Sequence, residues 1–153
     1  MTRPDRLGLL GGTFDPIHVG HVAAAEAVCR TLGLDEVWLL TSRLPPHRPQ
    51  PEASVHHRFA MVALAVQDHP AMRASDLELQ SPGPSYTSAT LARLHSAGFR
   101  PSQLFFIVGA DAFAEIATWM DYPDFLDAAN FVVVSRGQQP PGADALAEPP
   151  VAS

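Results

Sequence analysis

The chain has 153 residues, 46% hydrophobic and 17% charged, which excludes an intrinsically disordered chain and is enough for one domain around one core. A net charge of −6 excludes a broad nucleic-acid-binding surface, although a local cluster of His, Arg and backbone N–H can still hold a small polyanion. A single cysteine, Cys29, excludes an internal disulfide. No apolar run reaches membrane-span length and no signal-peptide pattern opens the chain, so a cytoplasmic protein without membrane contact is expected.

The first predicted element is a short apolar strand, Leu7 to Leu10. It runs into Gly11-Gly12-Thr13-Phe14-Asp15-Pro16 and then into an alanine-rich helical pattern over Val19 to Leu32. Strand, glycine turn and helix in that order aim backbone N–H groups at one place, the arrangement α/β proteins use for anions. Gly11 and Gly12 lack a Cβ, so a phosphate could come close to the backbone there. His18 and His21 lie three apart and share one face if the helix has begun. The competing readings are a plain tight turn with surface histidines, or a metal set of Asp15, His18 and His21. The i,i+3 spacing, with no nearby Glu or Cys, weighs against the metal, and no metal site is expected.

Val22, Ala25, Cys29 and Leu32 form the expected buried stripe of that helix, with Gly33 as its stop and Cys29 as packing. Glu36 to Leu40 reads as a buried strand containing Trp38. Thr41 to Ala53 carries four of the fifteen prolines and reads as a loop at the ligand edge of the sheet, with His47 and Arg48 at its tip. Ser54 caps a helix to about Asp68 with Val55, Phe59, Val62 and Val66 inward, and His56, His57 and Arg58 mostly at the surface. Arg73 to Leu79 is a weak strand of mixed polarity. After the irregular Ser81–Pro84, Thr87 or Ser85 caps a helix to about Ala97 that buries Leu91 and Leu94 and stops at Gly98.

Leu104 to Val108 is the strongest strand. Gly109-Ala110-Asp111 follows it, and Asp111 could accept from ribose hydroxyls or serve as a helix N-cap. Trp119 and Tyr122 sit where the helical pattern breaks, a place where an aromatic usually packs. Phe131 to Ser135 is the last strand. Residues 1–136 therefore form one domain, and 137–153, with four prolines and no apolar period, reads as a disordered tail. Alternating β and α units imply a three-layer α/β, Rossmann-like domain with a mostly parallel sheet of about five strands.

The string GGTFDPIHVGH resembles the signature of the HxGH nucleotidyltransferases, and its GGTFDPxHxGH form resembles bacterial nicotinate mononucleotide adenylyltransferases. The resemblance continues in order through PPHR (Pro45–Arg48), the HR of His57-Arg58, PSYTSATL (Pro84–Leu91) and the GAD…W of Gly109–Trp119. It implies adenylyl transfer from ATP to nicotinate mononucleotide, giving deamido-NAD and pyrophosphate, with Mg2+ carried by the ATP phosphates.

It further implies a catalytic set of His18, His21 and Arg48, and ATP contacts from Gly11, Gly12, Thr13, Phe14, Gly109, Asp111 and Arg136. His47, Tyr86, Thr87 and Trp119 would receive the nicotinate nucleotide, Trp119 by stacking on the pyridine ring. An adenylyltransferase for another acceptor such as phosphopantetheine, or a homologue that binds nucleotide without turnover, are the alternatives. After Arg136 the resemblance implies Pro-Gly, further strand and helix, and a Ser/Thr-rich segment ending in Ile-Arg. This chain continues instead through Gly137-Gln138.

Overall fold

A computed structural model describes residues 3–43, 53–80 and 86–135. Five strands form one all-parallel sheet: β1 (Leu7–Gly12), β2 (Glu36–Thr41), β3 (Met72–Ser75), β4 (Leu104–Gly109) and β5 (Asn130–Val134), in the order β3-β2-β1-β4-β5. The middle strands are apolar runs because a central parallel strand is covered on both faces. In β4, Phe105 and Ile107 face one core with Val28, Val62 and Val66 of the helices. Leu104, Phe106 and Val108 face the other with Leu91, Leu94 and Phe131. The expected three layers and five strands are present.

Helix α1 (Val19–Leu32) ends at Gly33, whose φ of 63° is a left-handed cap that glycine adopts without penalty. Its most buried residues are Ala25, Ala27 and Val28; Val22, Cys29 and Leu32 lie only partly covered beside them. Helix α2 (Val55–Val66) is capped by Ser54, whose Oγ accepts from His57 N at 3.2 Å. Its buried residues are Arg58, Val62 and Val66, so Arg58 is an interior residue and not a surface one. Helix α3 (Thr87–Ser96) buries Thr90, Leu91 and Leu94. Its N-cap is Tyr86, without a side-chain bond, and Thr87 is already helical.

The strand expected over 73–79 is shorter than its pattern: after β3 the chain tightens into a 3-10 turn over Leu77–Gln80. That turn is tied down by neighbours, Glu78 accepting from the buried Thr90 Oγ1 at 2.7 Å and the Leu77 carbonyl accepting from Arg93 at 2.6 Å. Helix α4 (Ala110–Phe113) is a single turn capped by Gly109, so Asp111 is the second helical residue and not the N-cap. No helix among the described residues is long and apolar enough to cross a membrane. His47, Arg48, Arg136 and the 137–153 tail lie outside the described residues.

Candidate active site at the β1 and β4 ends

The order β3-β2-β1-β4-β5 reverses direction between β1 and β4, and ligands of open α/β sheets bind beyond the C-terminal strand ends at such a reversal. The strand that ends in Gly11-Gly12 and the one that ends in Gly109 are therefore the two walls of a natural crevice. A Cβ built on Gly109 meets nothing within 4 Å, and one on Gly11 meets only the Phe106 ring at 3.8 Å. Gly109 therefore leaves open space at the crevice, whereas a side chain at Gly11 would enter ordinary contact with Phe106. Gly12 differs, because a Cβ there would stand 3.0 Å from the Phe14 ring. Glycine at 12 is thus favoured by close packing against Phe14, whatever ligand the backbone meets.

Phe14 itself is buried, in a left-handed conformation (φ 51°) that a bulky residue adopts only when its surroundings hold it. Its ring meets the His21 ring edge-on at 5.0 Å. Any contact from Phe14 to a ligand would come from its main chain, since its side chain belongs to the core.

His18 and His21 come together as the sequence spacing implied, though by capping and not by a shared helical face. His18 is the N-cap of α1, in extended conformation, and its Nδ1 accepts from Gly20 N at 3.1 Å. His21 Nδ1 accepts in return from His18 N at 3.1 Å. The rings stack with centroids 3.8 Å apart. A nitrogen that accepts from a backbone N–H carries its lone pair there, so in each neutral ring the proton sits on Nε2. Each ring then presents an Nε2–H donor. Burial, and secondarily the neighbouring His18, holds the His21 pKa down at about 4, so His21 remains neutral at pH 7.

Gly20, which no motif in the sequence singles out, lies tightly against this stack. A Cβ at Gly20 would stand 3.0 Å from His18 Cε1 and 3.1 Å from its Nδ1. The available signal was a glycine inside the first helical turn, a costly place for it, set between two histidines.

The second group lies at the same end of the sheet, because a helix that returns to a parallel strand begins at the C-terminal edge. Tyr86 and Thr87 open α3, and Trp119 lies on the chain leaving β4. The two are linked: Ser88 Oγ donates to Asp121 Oδ2 at 2.9 Å, and Asp121 holds a positive φ of 65°. Trp119 is half-buried, with one face stacked on Phe125 at 5.8 Å. Asp111 is exposed on the first turn after Gly109. Among the described residues no three His, Cys, Asp or Glu side chains form a metal-binding group.

The cytidylyltransferase-like family model matches residues 9–150. A protein of Desulfatibacillum aliphaticivorans named "Probable nicotinate-nucleotide adenylyltransferase" is 46% identical over 135 residues, 88% of this chain and 61% of that protein. Proteins of the same name from Symbiobacterium thermophilum and a Roseiflexus species are each 44% identical, covering 93% of this chain and 66% and 71% of theirs. The chain belongs to the cytidylyltransferase-like family. This cytidylyltransferase-like chain thus spans about two thirds of the length of the curated relatives it matches, and its resemblance to them extends well beyond the GGTFDPIHVGH string. A solved structure of Plasmodium falciparum nicotinic acid mononucleotide adenylyltransferase, complexed with NaAD, shares the fold at TM-score 0.74 and 20% identity, covering 88% of this chain and 66% of that one.

Proposed function

We propose that this chain carries the adenylyl-transfer site of a nicotinate-nucleotide adenylyltransferase, joining ATP and nicotinate mononucleotide with release of pyrophosphate. The observation that carries the reading is the stacked His18–His21 pair, whose Nδ1 atoms are both occupied by backbone donors. The two Nε2–H groups are left to bind the triphosphate at the positive end of α1. The acceptor 5′-phosphate is already an anionic nucleophile, so its oxygen attacks the α-phosphorus directly and the bond to the β-phosphate bridging oxygen breaks. No general base or covalent intermediate is needed, and the work is positioning and charge stabilisation.

In this reading Gly11, Gly12 and Thr13 supply main-chain contacts to the phosphates. Gly109 and Asp111 border the nucleoside, and Arg48 and Arg136 add charge. Tyr86, Thr87 and Trp119, with His47, receive the nicotinate nucleotide. Mg2+ enters with the substrate as MgATP, held by phosphate oxygens and water. The donor set fits that arrangement, because two imidazoles presenting Nε2–H groups suit phosphate oxygens and not a bare cation. The single cysteine and acidic balance support a cytoplasmic setting with no nucleic-acid partner.

The test is His18→Ala in the full chain, assayed by pyrophosphate release with both substrates. Loss of about two orders of magnitude in rate is expected for one donor at developing charge, with the circular dichroism spectrum unchanged. Activity within threefold of wild type would overturn the role.

A further inference from the structure

We propose that Arg58 is a positioning residue, whose buried guanidinium locks the glycine corner to the exit of β2 and to the approach of α2. The side chain is 2% exposed and spends its donors on four main-chain carbonyls. Nη1 donates to Thr13 O at 2.8 Å and to Ser42 O at 2.7 Å, Nη2 to Arg43 O at 3.2 Å, and Nε to Ala53 O at 3.1 Å. Three segments far apart in sequence thus meet on one planar cation. Two further bonds close the same knot: Ser42 N donates to Gly12 O at 2.9 Å, and Ala53 N donates to Asp15 Oδ1 at 3.1 Å.

The geometry requires arginine. Only a planar fork with five N–H donors can serve carbonyls that arrive from three directions, and a lysine ammonium on the same stem can serve only some of them. Burial lowers the guanidinium pKa from its usual range and the Asp15 carboxylate partly opposes this; arginine keeps its charge in proteins, so the buried group needs its carbonyl ring. Because Arg58 is buried, it cannot touch a nucleotide. It acts through Thr13, the residue next to Gly12, by fixing where the corner stands relative to the neighbouring strand end.

The proposal rests on the adenylyl-transfer reading only for its functional half, and the test separates the two. Arg58→Lys and Arg58→Met are compared with wild type by hydrogen exchange without ligand, by calorimetry with MgATP, and by steady-state kinetics. In folded Arg58→Lys, the amides of Ser42 and Ala53 should exchange at least tenfold faster, while those in the middle of α1 and β4 keep their rates. MgATP affinity and kcat should fall tenfold or more, and KM for the acceptor should change less than threefold.

Unchanged exchange at Ser42 and Ala53 in either folded variant would overturn the lock. Faster exchange with wild-type MgATP affinity and kcat would overturn the positioning role. A wild-type chain that binds no MgATP would overturn the adenylyl-transfer reading, and the ligand-free exchange comparison would then decide the lock on its own.

Discussion

Gly20→Ala separates stability from function in an unusual direction. Gly20 sits in the first turn of α1 with no positive φ, so its backbone accepts alanine, and removing a helical glycine stabilises by about 0.5–1 kcal/mol. Against this, the new methyl would stand 3.0 Å from His18 Cε1 and 3.1 Å from Nδ1, tighter than ordinary contact. The His18 side chain is exposed, so the ring can swing into solvent to relieve the clash. Swinging out costs the Nδ1 cap on Gly20 N, about 0.5–1 kcal/mol, and the stack on His21. The two stability terms nearly cancel, so Tm should stay within about 3 °C of wild type. The chemistry loses an aimed donor, worth about 1.4–2.7 kcal/mol, or a 10- to 100-fold fall in kcat/KM. Pyrophosphate release and a thermal melt on the same preparation provide the check. Full activity, or a Tm that collapses together with the activity, would refute the reasoning.

Two further outcomes follow from the same geometry. His21 is held near pKa 4 in the folded chain against 6.5 ordinarily, so between these values the unfolded chain binds more protons. Its contribution to stability is complete above pH 6.5 and is lost as pH falls toward 4. The ceiling of about 3 kcal/mol shrinks to about 1 kcal/mol for a half-buried ring. Wild type should therefore lose about 2–4 °C more in Tm than His21→Gln between pH 7 and 4.5, and parallel melting profiles would argue against the assignment. Trp119→Leu should raise KM for nicotinate mononucleotide about tenfold with kcat within threefold, because one ring face remains for stacking after Phe125 takes the other. A fall in kcat at unchanged KM would place Trp119 elsewhere in the reaction.

The sequence by itself determined the alternation of apolar strands and amphipathic helices, because burial on both faces writes itself as unbroken runs such as LFFIV. It also determined the strand-glycine-helix corner with its two histidines, since those residues are contiguous. The caps at Ser54 and Gly33 were legible for the same reason: each is a local matter of one side chain or one φ angle. What only the tertiary structure decided was long-range. Arg58 beside His56 and His57 has the pattern of a solvated first turn, and its burial follows from carbonyls 5 to 45 residues away. Gly12 reads as room for a phosphate until the fold lays Phe14 against it, and the tight contact at position 20 is invisible until His18 leans back over the helix. Local spacing specifies which groups can meet within a turn, but which main-chain atoms are left for a buried cation to satisfy depends on how the strands are ordered in space.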